Sequence, residues 1–144
     1  KRYAIIRDAD DDANSAFQSV VGILSRHGQP TPEAPGEMTF SNGINTGVYI
    51  MPGNSENGML EDLCLSTVVD SPVLTCVNQY ISCLRENLEN NSFPRNEAKA
   101  KMHTFLAGMC KFVPSLGIAA KKSYFNFESD ILNDIKQFLK ELTK

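Results

Sequence analysis

An apolar segment that ends in four carboxylates occupies residues 3–12, with the sequence YAIIRDADDD. If Tyr3 to Ile6 form a buried strand, the two-residue side-chain period places Asp8 and Asp10 on one face, at the carboxyl end of that strand. Open α/β sheets bind their ligands at this edge. The segment therefore predicts a strand-to-loop junction with a candidate site.

Two carboxylates held close together repel each other unless a cation lies between them. Oxygen ligands suit Mg²⁺ and Mn²⁺, so the aspartates predict a hard-metal site. Glu61, in the first turn of a helix predicted after the second strand, could reach the same edge. The alternative is an acidic loop that caps the next helix, with Glu61 favouring a helix N-terminus. The predicted metal ligands are Asp8, Asp10, Asp12 and Glu61.

Three kinds of metal site use aspartates at this spacing. A calcium loop of the helix-loop-helix type would need glycine and glutamate where this chain has Ala13 and Ser19, so that interpretation fails. A phosphatase of the haloacid-dehalogenase type also follows a strand with D-x-D, but usually continues with threonine rather than two further aspartates. The third kind is a Toprim-type site, in which D-x-D binds a divalent ion for phosphodiester chemistry.

The rest of the chain alternates short strands with helices and then becomes mostly helical. A helical stripe of apolar residues follows the aspartates, and Gly28 is predicted to end this helix. A second strand is predicted at 47–51, after a loop-like stretch at 29–46 with a brief strand near Met38. Further helices are predicted from about Ser71, Asn96 and Ser129. This order predicts an α/β fold with a helix-rich C-terminal half. The first stripe consists of Phe17, Val20, Val21 and Leu24.

Length and composition predict one ordinary globular domain. The 144 residues carry a net charge of −3, which gives no electrostatic footprint for nucleic acid. The four cysteines show no metal-ligand spacing, so we expect reduced thiols in the core of a cytoplasmic protein, with no membrane segment. A chain that starts almost inside a buried strand also suggests that a strand and a helix precede it in a longer gene product.

Several segments together resemble an uncharacterised prokaryotic family of Toprim-related proteins, which are distant relatives of the OLD-type nucleases. The resemblance covers most of the chain. The matching segments are IIRDADDD (5–12), FQSV (17–20), GVYIMPGNSENGMLEDL (47–63), KAKMHTFLA (99–107), SLGIAAKKSYFNF (115–127) and DIKQFLKEL (134–142).

The resemblance implies a Toprim-like, mostly parallel sheet flanked by helices, with Asp8 and Asp10 as the metal-binding pair. Similarity to the OLD-type nucleases implies that Glu61 is a further acidic member of the site. Toprim proteins also carry a catalytic glutamate on an earlier strand, and no residue of this chain fills that position.

The leading functional hypothesis is a metal-dependent domain that processes phosphodiesters of nucleic acid, with Asp8, Asp10 and Glu61 as its catalytic residues. A non-catalytic binding or regulatory module with the same fold is the second hypothesis, and a D-x-D phosphatase is the third. Basic residues that could contact phosphates, or simply form a solvated face, are Arg95, Lys99, Lys101, Lys111, Lys121 and Lys122.

Overall fold

The computed structural model describes residues 1–144, which form two compact units. The first unit comprises Lys1–Leu63 and Ser129–Lys144, and the second comprises Cys64–Glu128. Strands occur only in the first unit. Its elements are β1 (Arg2–Asp8), α1 (Ala13–Arg26), β2 (Met38–Ser41), β3 (Ile44–Met51) and α6 (Asn133–Thr143), the last preceded by a 3-10 turn at Asp130–Leu132. The short helix α2 (Leu60–Ser66) runs across the boundary, and the second unit holds α3 (Pro72–Asn87), α4 (Glu97–Gly108) and α5 (Leu116–Lys121).

The sheet has three strands in the order β1-β3-β2, so β3 is central and β1 is an edge strand. β1 runs parallel to β3, with Asp8 opposite Met51 at the carboxyl ends of both strands. β2 runs antiparallel to β3, with Ser41 opposite Ile44. The sheet is therefore small and mixed, with one parallel and one antiparallel pairing.

The prediction of a Toprim-like, mostly parallel sheet is wrong. Asn42 and Gly43 both have positive φ, at 51° and 76°, which is the backbone of a two-residue type I′ turn. This turn reverses the chain directly from β2 into β3, so the pair is an antiparallel hairpin. All elements after Met51 are helical, and no further strand extends the parallel pairing. The predicted brief strand near Met38 and the helix-rich C-terminal half are confirmed.

Helices cover both faces of β3. On one face Val48 and Ile50 pack, fully buried, against Phe17 and Val20 of α1, which confirms the predicted stripe. The other face packs against α6. There Gly47 permits a close approach, because a Cβ at this position would lie 2.9 Å from the ring of Phe138. The core between β3 and α6 contains Tyr49, Met51, Leu63, Leu132 and Phe138.

The second unit is a helical core with capped helices. Helices begin after Ser71 and Asn96, as predicted, with Pro72 at the first position of α3. Ser71 makes no capping hydrogen bond through its side chain, whereas the Asn96 side chain caps α4 by accepting the Lys99 N–H at 2.9 Å. The rings of Phe105 and Phe125 stack with centroids 6.2 Å apart. Its fully buried side chains include Val77, Ile81, Met102, Phe105 and Leu106.

The prediction that the cysteines are core residues is wrong for three of the four. Cys76, Cys83 and Cys110 are exposed, and Cys64 is half-buried. Cys76 and Cys83 lie on α3 beside the stripe that packs inward, which explains why a helical pattern alone did not separate them from the core.

Candidate functional site

Asp8 closes β1 and connects it to the start of α2. The side chain is half-buried, and its Oδ1 accepts a hydrogen bond from the backbone N–H of Leu60 at 2.9 Å. The second oxygen of the carboxylate makes no hydrogen bond within the protein. The end of the edge strand is therefore tied to the helix that carries Glu61.

Asp10 forms a second connection between the same two segments. Its N–H donates to the carbonyl of Gly58 at 2.8 Å, and the N–H of Gly58 donates back to the carbonyl of Asp10 at 2.8 Å. Asp10 has a φ of 53°, so the strand geometry predicted to continue from Asp8 has already ended. Left-handed backbone at a non-glycine residue is uncommon, although aspartate tolerates it, and it is typical of functional loops. The Asp10 carboxylate is exposed and has no partner in the protein.

Glu61 lies in the first turn of α2, next to the residue that Asp8 binds. Its side chain is half-buried and makes no hydrogen bond or ion pair. The neighbouring Asp62 has a different role, because its Oδ2 accepts the N–H of Met59 at 2.9 Å and caps the helix. Of these two adjacent carboxylates, Glu61 is the one available for chemistry.

Asp12 is the N-cap of α1. Its carboxylate accepts the N–H of Ser15 at 2.9 Å and the hydroxyl of Ser15 at 2.7 Å. Both hydrogen bonds hold the pKa of Asp12 below its usual value, and the bond from the backbone N–H has the larger effect. At sequence level, helix capping was the alternative to metal binding for these aspartates. In Asp12 the capping interaction engages both carboxylate oxygens.

Asn57 also belongs to this region and was missed as a contributor. Its Oδ1 accepts the N–H of Ala13 at 3.1 Å, so the loop before α2 helps to cap α1. An Asn-Gly pair is typical of a tight turn, but a hydrogen bond to a residue 44 positions away has no local sequence signal.

The protein alone does not build a closed metal cage. No group of three or more His, Cys, Asp or Glu side chains is close enough together to hold an ion. Mg²⁺, however, is commonly held by one or two carboxylates, with the remaining positions filled by waters and substrate phosphates. Asp8 and Asp10 have free oxygens for that kind of open site, whereas both oxygens of Asp12 already accept hydrogen bonds.

The predicted phosphate-contacting residues all lie in the second unit. Lys101 is engaged in an ion pair with Glu97 at 2.8 Å, and Arg85 pairs with the same carboxylate. Both partners hold the pKa of Glu97 below its usual value, and Lys101 has the larger effect. The members of the predicted set with exposed side chains are Arg95, Lys99, Lys111, Lys121 and Lys122.

None of the helices combines the length and the apolar character needed to cross a membrane. Comparison with curated proteins and with solved structures gave no significant match. A family model described as "protein of unknown function (DUF3226)" matches residues 1–144, and the chain therefore belongs to this family.

Proposed function

We propose that this chain is a divalent-metal-dependent module that acts on phosphodiesters of nucleic acid. Asp8 and Asp10 hold Mg²⁺ or Mn²⁺, and Glu61 assists at the same edge of the sheet. The observation that carries the proposal is the double connection at this edge, from Asp10 to Gly58 and from Asp8 to Leu60. These bonds join the segment that bears the aspartates to the helix turn that bears Glu61.

The side chains have complementary roles in this proposal. A bound Mg²⁺ supplies charge neutralisation for a phosphate and lowers the pKa of a coordinated water. Asp10 offers an exposed carboxylate and Asp8 offers one free oxygen. Glu61, which has no partner in the protein, can orient a water or accept its proton. The likeness of residues 5–12 to the D-x-D segment of Toprim-related proteins is what supports nucleic acid, rather than a small phosphate ester, as the ligand; the Toprim-like sheet itself is absent.

A non-catalytic module that binds a phosphate through the same ion is the second candidate. The absence of a three-ligand group favours it, because Asp12 and Asp62 are used to cap helices. In this case the ion and the nucleic acid bind together, but no bond is cleaved.

The first test is Mn²⁺ binding by calorimetry to the parent, to Asp10→Asn and to Asp11→Asn. Asp11 is the matched control, because it is an exposed neighbour with the same charge. Loss of outer-shell partners already weakens metal affinity by 10–100-fold, so loss of a direct ligand should weaken it at least about tenfold. We expect this effect for Asp10→Asn and little change for Asp11→Asn. Equal effects of the two substitutions would mean that the ion responds only to the overall negative charge of this loop, and would contradict the proposal.

The second test uses labelled single- and double-stranded DNA and RNA with Mn²⁺. Cleavage that Asp10→Asn abolishes and Asp11→Asn retains supports the enzyme. Binding without cleavage, weakened by rising salt and by Asp10→Asn, supports the non-catalytic module. Metal-stimulated release of phosphate from small esters, with no action on nucleic acid, would identify a phosphatase instead.

A further inference from the structure

A second candidate site lies on the α6 face of β3, within the first unit. A cavity of about 260 Å³ opens there between α6, the segment before β2 and the loop after β3. Pockets for drug-sized ligands have volumes of about 300–1,000 Å³, so this cavity suits a smaller molecule. None of the residues in the double connection described above lines it.

The cavity is acidic. Glu37 borders it from the segment before β2, and Asp134 and Glu141 border it from one face of α6. No Lys, Arg or His side chain is among the lining residues. Glu141 is partly satisfied, since its Oε1 accepts a hydrogen bond from Gln137 at 2.8 Å. Three carboxylates around one small cavity disfavour anions and favour a cation.

The hydroxyl of Tyr49 is a second polar feature of the cavity, independent of the carboxylates. Tyr49 lies on the central strand, is only 2% exposed and borders the cavity. Its hydroxyl has no hydrogen-bond partner in the protein. The hydroxyl is the accessible tip of an otherwise buried side chain, so it is free to hydrogen-bond a molecule in the cavity. Burial raises the pKa of Tyr49, and the negative charges of Asp134 and Glu56 raise it further. The hydroxyl therefore stays protonated.

The wall of the cavity behind this hydroxyl is aromatic. The rings of Tyr49 and Phe138 meet with centroids 5.3 Å apart, tilted by 47°. Aromatic faces attract cations and also accept hydrocarbon. A carboxylate rim in front of an aromatic wall is complementary to a positively charged head on a short apolar chain.

We propose that this cavity binds a small organic cation, an alkyl ammonium or guanidinium group, between Asp134, Glu141 and Tyr49. The charged head donates to the two carboxylates and to the Tyr49 hydroxyl oxygen, and the alkyl part contacts Phe138. A bare metal ion fits less well, because the carboxylates do not form a group that could ligate one. This proposal does not depend on the function proposed for Asp8 and Asp10.

The test is a titration of protein labelled with 3-fluorotyrosine, followed by ¹⁹F NMR, using butylamine, 1,4-diaminobutane and butylguanidine. The Tyr49 resonance is identified by its absence in Tyr49→Phe. We expect at least one of the cations to shift it saturably, while the neutral analogue butanol leaves it unchanged. Asp134→Asn should weaken the binding about tenfold or more, as the loss of one charged hydrogen bond does.

Asp70→Asn is the matched control, because Asp70 is an exposed aspartate remote from α6 in sequence. It should leave the affinity unchanged. The absence of a saturable shift with any of the three cations would overturn the proposal, and so would equal affinity of Asp134→Asn and Asp70→Asn. Displacement of the amine by MgCl₂ at an equal concentration of positive charge would also overturn it, because the site would then attract any cation.

Discussion

Neighbouring carboxylates at the end of β1 have different environments, because they differ in the hydrogen bonds that they accept. Asp12 lies at the N-terminus of α1 and accepts two hydrogen bonds, while Asp8 meets the first N–H of α2. Asp10 has a left-handed backbone, and its side chain makes no hydrogen bond within the protein. At the scale of single residues, Asp10 is therefore the least engaged of the three, which is why we propose it as a metal ligand.

The hydroxyl of Tyr49 predicts a dependence of stability on alkaline pH. Its pKa in the folded protein is raised above the ordinary value of 10.0, chiefly by burial. The unfolded chain therefore loses this proton first, and stability falls as the pH rises above about 10. Below that pH the contribution of the group is constant.

We expect Tyr49→Phe to lose stability less steeply than the parent between about pH 9 and pH 11. Urea unfolding at several pH values measures the slope. Tyr80→Phe is the control, because the Tyr80 side chain is 50% exposed. If both variants lost stability with pH as steeply as the parent, the raised pKa of Tyr49 would not be the cause of the alkaline loss.

The β2–β3 hairpin depends on its turn at the scale of elements. Gly43 has a φ of 76°, and a Cβ there would meet no atom within 4 Å, so only backbone strain opposes a side chain. We expect Gly43→Ala to lower the free energy of unfolding by about 1 kcal/mol.

Gly22 is the matched case on α1. A Cβ at this helical position also meets nothing within 4 Å, but its backbone is one that alanine prefers. Gly22→Ala should therefore raise the free energy of unfolding by about 1 kcal/mol. Urea unfolding measures both variants side by side. A shift of the same sign in both would rule out the turn geometry as the cause.

The thiols give a prediction for the whole molecule. Cys76, Cys83 and Cys110 are exposed, whereas Cys64 is half-buried. A colorimetric thiol reagent should react quickly with three groups in the native protein and more slowly with the fourth. In urea all four should react at one fast rate. A single fast thiol in the native state would contradict this arrangement of the cysteines.

Local signals predicted much of the fold, and distant contacts account for the rest. The stripe that begins at Phe17 and the cap at Asn96 each depend on residues three or four positions apart, so both helices were predictable. The pairing of β1 with β3 joins residues more than forty positions apart, and nothing in either strand specifies it. Asn42-Gly43 is a strong hairpin signal, but it lay in a stretch interpreted as loop.

The candidate sites follow the same division. The cap at Asp12 was predictable as an alternative, since a polar residue precedes an apolar helical stripe. The backbone of Asp10 depends on Gly58, and the cavity beside Tyr49 combines a strand, a loop and a helix from opposite ends of the chain. Neither has a signature that one segment could carry.

The edge position of β1 leaves the candidate metal site open on one side. The carbonyl of Lys1 and the N–H of Ala9 bond to β3, so alternate residues face that strand, and Ala4, Ile6 and Asp8 direct their backbone groups outward. A strand that added to this edge, from the same polypeptide or another, would have one end beside Asp8. The set of side chains at the candidate metal site can therefore be extended by pairing alone, without any change in the fold.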